Sequence, residues 1–172
     1  MEELLKAIKS ENLDERHAAV EKMAERARGS EEAAAQIISA LREADMNGKW
    51  YLGRALLKTG PAVIPALIKE AETEPQADVL RYYGAVLASF GKESVAPLVG
   101  LFSSENAAAR GMAGAALEKI GEPALEPLLE AAKSDNQTVK ICAGIVLMKL
   151  GVYSYSWQNL QPHHATVHTL TH

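Results

Sequence analysis

The sequence predicts an all-α protein built from repeated pairs of helices, and three observations carry this prediction. First, glycines that close a helical stretch recur at intervals of 30 or 31 residues, which indicates an internal structural repeat. Second, the aromatic fraction is only 5% while alanine is abundant, which favours close helix packing through small side chains. Third, apolar residues within the repeats follow helical spacing. The closing glycines are Gly29, Gly60, Gly91, Gly121 and Gly151.

Each repeat is predicted to contain two helices joined by short turns. The closing glycine adopts the left-handed conformation that ends a helix, and a following proline such as Pro61 or Pro123 begins the next helix without losing a needed N–H group. This predicts five helix pairs in residues 1–151. The predicted helices span 2–10, 14–28, 31–44, 48–59, 62–73, 76–90, 93–103, 106–120, 123–133 and 136–150.

The second helix of each pair shows the clearest pattern. In the third pair one buried stripe is predicted to contain Val79, Tyr83, Val86, Leu87 and Phe90, and in the fourth pair Ala109, Ala113, Ala116, Leu117 and Ile120. A further glycine recurs seven positions before each closing glycine, where we expect helices to approach closely. These are Gly53, Gly84, Gly114 and Gly144. Ser104 or Asn106, and Ser134 or Asp135, are predicted to cap the helices that follow them.

Residues 152–172 form a separate C-terminal segment without Asp, Glu, Lys or Arg. Three interpretations stay open: a cap in which Tyr153, Tyr155 and Trp157 fold back on helix 136–150, a disordered or foreign end, and a metal site. The metal site would use His164, His168 and His172, which are four residues apart. The last helix presents Ile145 and Met148, so we expect either this cap or self-association through the C-terminal repeat.

Composition narrows the classes of function. The net charge of -4 and pI near 5.8 argue against a general nucleic-acid binder, which needs a surplus of Lys and Arg. Cys142 is the only cysteine, so neither a disulfide framework nor a thiolate zinc site is expected. No basic leader and no run of about 18 apolar residues occurs. We therefore expect a cytoplasmic protein.

Three segments resemble a known family. The stretches VLRYYGAVLASFG, AARGMAGAALEKIG and TVKICAGIVLMKLG each combine a basic residue, small residues, Leu and a closing Gly, and they resemble the HEAT-like repeats of the phycobilisome-lyase type. The resemblance spans roughly residues 1–151, and the first pair fits only with a shift of about two residues. It implies a right-handed α-α superhelical solenoid. It does not select an activity, because the family includes scaffolds, chromophore-attachment subunits and diiron hydroxylases.

Basic residues near the start of the second helices are the first candidate binding site. Lys49, Arg81, Arg110 and Lys140 could form a stripe on the inner surface that binds acidic protein or phosphate groups. Alternatively they form a structural ladder that pairs with acids such as Glu105 and Asp135.

Aromatic residues beside these bases define the preferred partner site. Trp50 and Tyr82 lie next to Lys49, Arg54 and Arg81 in sequence, and aromatic and Arg side chains dominate protein interfaces. Tyr51, Tyr82, Met112 and Cys142 occupy one equivalent position, which also suits packing between repeats.

Catalysis has little support in the sequence. His17 is the only histidine within the repeats, and no His-Glu dipeptide of the diiron type occurs. We therefore predict a non-catalytic scaffold that binds another protein on the inner surface formed by the second helices, with no cofactor, metal or membrane. The alternative is a lyase-like component that handles a chromophore or other cofactor together with a partner subunit.

Overall fold

The computed structural model describes residues 1–152, which form ten α-helices and no strand. The predictions for the C-terminal segment beyond Val152 therefore lie outside the described residues. Three short 3-10 turns, at Pro61–Val63, Leu101–Ser103 and Glu122–Ala124, adjoin the helices. The helices are α1 (Glu2–Ala7), α2 (Leu13–Arg28), α3 (Glu31–Glu43), α4 (Met46–Thr59), α5 (Ile64–Thr73), α6 (Ala77–Ser89), α7 (Lys92–Gly100), α8 (Ala107–Ile120), α9 (Leu125–Ala131) and α10 (Gln137–Lys149).

The ten helices form two layers. The second helices of successive pairs stack on one another in the order α2, α4, α6, α8 and α10, while the first helices α3, α5, α7 and α9 stack alongside. Each pair thus contacts mainly its neighbours in sequence, which is the architecture of a solenoid. The structure confirms the predicted all-α solenoid of five helix pairs. No helix in residues 1–152 is long and apolar enough to span a bilayer.

The first helices of the later repeats are shorter than predicted. The predicted helices 62–73 and 123–133 begin as the 3-10 turns Pro61–Val63 and Glu122–Ala124, and 93–103 ends as Leu101–Ser103. Each of the two initial turns holds a proline at its first or second position. Proline is tolerated at the start of a helix, and short 3-10 turns are frequent at helix ends.

Four of the five closing glycines have the positive φ angle that favours glycine, but the ψ angles of Gly60, Gly91 and Gly121, at -176°, -127° and -130°, lie outside the predicted left-handed helical conformation. The φ angles of Gly60, Gly91, Gly121 and Gly151 are 93°, 57°, 76° and 85°. The prediction is wrong for Gly29, whose φ is -116°. The next residue, Ser30, already caps α3 by accepting a hydrogen bond from the Ala33 N–H. The chain therefore enters α3 directly, without a left-handed residue.

A Ser-x-Asn turn precedes three of the second helices. Asn106 caps α8, as predicted, but Asn136 rather than Ser134 or Asp135 caps α10. The serine two residues earlier instead accepts from the backbone N–H of the capping asparagine, at 3.2 Å for Ser104 and 3.1 Å for Ser134. Ser10 and Asn12 form the same turn before α2. Asn12 lies 17 residues before Gly29, whereas Asn106 and Asn136 lie 15 before theirs, which explains the two-residue shift of the first pair.

Small residues let the second helices pack closely. The predicted stripes are buried except for the half-buried Phe90 and Ile120. A Cβ atom at Gly84 would lie 2.9 Å from Cγ of Met112, and one at Gly114 would lie 3.3 Å from Cγ2 of Val146. Gly144, in the last described helix, has no such neighbour among the described residues. At Gly84 and Gly114 the glycine therefore makes room for a side chain of the following repeat.

An ion-pair cluster fastens repeats two to four together. Arg42 at the end of α3 binds Glu74 at 2.6 Å and Glu70 at 3.0 Å. Glu74 is fully buried, and its other oxygen accepts from the Gln76 N–H at 2.9 Å. Asn106 donates to the backbone carbonyl of Glu74 at 2.9 Å. One buried carboxylate thus connects the turn after α5 to α3 and, through its own backbone, to the start of α8.

The phenol of Tyr83 lies beside this cluster. Burial, reinforced by the negative charge of Glu74, raises the pKa of Tyr83 to about 12. The Tyr83 side chain is consequently neutral at physiological pH, and it fills the core as an uncharged ring.

We predict that Gly84→Val lowers the free energy of unfolding by about 1–3 kcal/mol, because its side chain would overlap Met112. The matched control, Gly144→Val, should change it by less than about 0.5 kcal/mol, since no described neighbour approaches that position. Chemical denaturation of both variants measures this. Equal decreases in the free energy of unfolding for the two variants would contradict the inference that Gly84 makes room for Met112.

We also predict that Glu74→Ala lowers the free energy of unfolding by about 3 kcal/mol or more, because it removes the buried partner of Arg42. Glu70→Ala should cost less than about 1 kcal/mol, because the Glu70 carboxylate is 38% exposed. Urea unfolding of the two variants tests the difference. A loss at Glu70 as large as that at Glu74 would refute the assignment.

Candidate partner-binding surface

The predicted basic residues do not form one column. Lys49, Arg110 and Lys140 lie eleven positions before the closing glycine of their repeat, whereas Arg81 lies ten before its own. One residue corresponds to a rotation of about 100° around a helix. Accordingly Arg81 is exposed, while the other three are half-buried.

Two of these bases contact other residues of the solenoid. Lys49 forms an ion pair with Asp78 in the following repeat, and this hydrogen bond lowers the pKa of the Asp78 carboxyl. Arg110 donates to the backbone carbonyls of Ser104 at 2.6 Å and Glu105 at 3.2 Å. Arg110 therefore contacts Glu105 through the backbone rather than through the predicted pairing of side-chain charges.

The same contact occurs in the first repeat. Arg16 follows Asn12 by four residues, just as Arg110 follows Asn106, and Arg16 donates to the backbone carbonyl of Ser10. Lys140 follows Asn136 by the same four residues. A basic residue four positions after the cap thus closes the Ser-x-Asn turn in two repeats.

The predicted aromatic site is divided between surface and packing. Trp50 is 47% exposed, its ring meets Tyr51 edge-on at 4.8 Å, and the Arg54 guanidinium lies 4.8 Å from the Trp50 ring centre. Trp50 and Arg54 therefore form an exposed cation–π pair. Tyr82 is half-buried beside Gly53, so its ring mainly packs between repeats.

Exposed apolar side chains share one register on the second helices. Of the seven large apolar side chains exposed in residues 1–152, five lie ten, six or three positions before a closing glycine. The set at these positions on α4, α6, α8 and α10 is called the second-helix band below. The five are Trp50, Leu57, Ile141, Ile145 and Met148.

The middle of the band is a groove. At the same positions α6 and α8 carry the small residues Ala85, Gly111 and Ala115, and the space between these helices has a volume of about 450 Å³. Arg81 and Lys119 are the two charged residues that line it. The bulky side chains of α4 and α10 lie on either side. This arrangement can accept apolar side chains from a partner.

Several of these residues escaped the sequence analysis. Leu57, Gly111, Ala115 and Lys119 have no individual signature, and Lys119 fits equally well as a base at a helix C-terminus. Only their position in the repeat identifies them. All except Lys119 lie ten, six or three positions before a closing glycine and so belong to the second-helix band. The apolar face predicted on α10 at Ile145 and Met148 is exposed, and both self-association through it and a cap from the C-terminal segment stay predictions.

Residues 1–152 contain no group of three or more His, Cys, Asp or Glu side chains arranged to hold a metal ion. His17 instead packs near the ring of Tyr51, with the ring centres 6.2 Å apart. Cys142 is half-buried and forms no disulfide within the described residues.

Comparison with known families finds that residues 64–148 match the model of the family described as HEAT repeats. The matched segment begins at α5 and ends within α10, and it includes the groove. Together with the repeated helix pairs, the match supports a HEAT-like repeat protein. The narrower phycobilisome-lyase type stays a prediction.

Two solved structures are similar over most of their length. One is an engineered protein from a structural genomics consortium, with 20% identity over 87% of this chain and 78% of the other and a TM-score of 0.34. The second is a designed armadillo repeat protein in complex with a peptide, with 15% identity over 95% and 92% of the two chains and a TM-score of 0.34. Comparison with curated protein sequences gives no significant match.

We predict that Arg110→Ala lowers the free energy of unfolding by about 1 kcal/mol, because two backbone carbonyls lose their donor. Arg81→Ala should change it by less than about 0.5 kcal/mol, because Arg81 is exposed. Thermal and urea denaturation report both values. If Arg81→Ala lowered the free energy of unfolding more than Arg110→Ala, this would contradict the structural role assigned to Arg110.

Proposed function

We propose that the protein is a non-catalytic interaction scaffold whose second-helix band binds a segment of another protein. The observation that carries the proposal is the shared register of the exposed apolar side chains. Apolar side chains scattered singly over a surface are ordinary, whereas a contiguous apolar patch marks an interaction site. Trp50, Leu57, Ile141, Ile145 and Met148 lie at equivalent positions on two helices that flank a groove.

The fold supports the same proposal. Stacked helix pairs present an extended surface to which each repeat contributes the same positions, and such surfaces suit elongated ligands. The groove between α6 and α8 has room for several side chains of a bound segment. Because packing between repeats holds both groove walls, the surface is preformed and little ordering is needed on binding.

The lyase-like alternative would use the same groove. Its apolar floor and two flanking cations also suit a flat apolar molecule that carries carboxylates. The protein-binding proposal is favoured because the apolar residues of α4 and α10 extend the band beyond the groove, farther than a small molecule needs.

The test uses a displayed library of random peptides selected on the full chain. We predict that the selected peptides lose about tenfold or more in affinity for Gly111→Trp, whose indole would fill the groove at an exposed position with no neighbour within 4 Å. The control is Glu72→Trp, which places the same side chain at an exposed position of a first helix. Fluorescence anisotropy measures the affinities.

Equal binding to both tryptophan variants, or failure to select any peptide, would overturn the proposal. Circular dichroism of the variants shows whether each remains folded, and Gly111→Ala, which leaves the groove open, should bind as the wild type does.

A further inference from the structure

The two helix layers carry opposite charge. The second helices α4, α6, α8 and α10 contain eight Lys or Arg residues against two acids, a surplus of six positive charges. The first helices α3, α5, α7 and α9 contain three Lys or Arg residues against eight acids, a surplus of five negative charges. The chain as a whole has a net charge of -4. The overall acidity therefore conceals a basic second-helix layer.

Both acids of helices α4, α6, α8 and α10 are already neutralised. Asp78 pairs with Lys49, and Glu118 pairs with Lys149 at 2.9 Å. Three further acids, Asp45, Glu105 and Asp135, lie in the turns before α4, α8 and α10, and Asp45 is engaged as the α4 cap. These acids border only the end of the layer at which the second helices begin.

The groove itself has charge of a single sign. Arg81 in the second turn of α6 and Lys119 in the last turn of α8 line it, and no acid does. Neither residue forms an ion pair within residues 1–152, in contrast to Lys49, Lys58 and Lys149. Because the second helices of successive repeats run in the same direction, the two cations lie toward opposite ends of the groove.

From this juxtaposition we propose that the partner segment is acidic and apolar, with apolar side chains on the second-helix band and Asp or Glu side chains on Arg81 and Lys119. This inference rests on the proposed function. A carboxylate at each end of the groove would find an unpaired cation, whereas a basic segment would bring like charges together over an apolar floor. Phosphate groups would also meet the two cations, but the band of Trp50, Leu57, Ile141, Ile145 and Met148 offers them no contact.

The peptides selected above test this inference through their composition. Among peptides that bind wild type and lose affinity for Gly111→Trp, we expect Asp and Glu to outnumber Lys and Arg, beside an excess of large apolar residues. Affinity should fall as the salt concentration rises, because the added contacts are between exposed charges.

A charge-reversal pair tests the residues directly. The double variant Arg81→Glu, Lys119→Glu should lose about tenfold or more in affinity for the selected peptides. The control reverses the same number of charges on the first-helix layer, Lys69→Glu with Lys92→Glu, both exposed, and should bind nearly as wild type. Both proteins are checked for folding by circular dichroism.

The outcomes separate this inference from the proposed function. Groove-dependent peptides without an excess of acids, or with unchanged affinity for the Arg81/Lys119 variant, would overturn the acidic partner and leave the scaffold standing. Absence of groove-dependent peptides would overturn both. A random-sequence single-stranded oligonucleotide that binds the groove more tightly than every selected peptide would overturn the protein partner in favour of a nucleic acid.

Discussion

Close packing of each second helix on the next is the interaction on which the whole molecule depends. A single helix pair of this size cannot bury its apolar stripe alone, so each repeat is stable only against its neighbours. The glycines seven positions before the closing glycine permit this contact, since Gly84 receives Met112 and Gly114 approaches Val146. The last described helix also has a glycine at this position, Gly144, although no described repeat packs against it. The glycine at this position is thus part of the repeated sequence pattern, whether or not a neighbouring helix contacts it.

Polar contacts stabilise the turns within the pairs and one of the junctions between pairs. Turns of the Ser-x-Asn type cap α2, α8 and α10, and Arg16 and Arg110 close two of these turns by donating to backbone carbonyls. The Arg42–Glu74 ion pair joins two repeats. Because the Glu74 carboxylate is fully buried, it would be strongly unfavourable without Arg42 as its partner. The half-buried bases that make these contacts stabilise the array, and they are less available to a ligand.

The proposed binding surface consists of second-helix residues that neither pack between repeats nor stabilise the turns. Most side chains ten, six and three positions before the closing glycine are exposed, with the buried Ala88 as an exception, so packing constrains them little. Yet α4 and α10 carry bulky apolar residues there, and α6 and α8 carry small ones. Leaving Ile141, Ile145 and Met148 in water has no benefit for the fold. Together with the basic charge of this layer, their placement supports the proposed partner segment.

The sequence by itself determined the repeat, its period, the five helix pairs, most of the helix ends and the buried stripes, because glycine, proline and helical periodicity act over a few residues. It predicted Ser134 or Asp135 as the cap of α10, which is wrong, because the side chain of Asn136 can equally accept from a free N–H group and does so. It could not separate the exposed Arg81 from the turn-closing Arg110, because a difference of one position in the repeat becomes a rotation of the side chain only once the helices are placed. The Arg42–Glu74 pair and the groove beside Gly111 join residues about 30 apart in the chain. Only the tertiary structure decided them, because stacking of one repeat on the next brings such residues together.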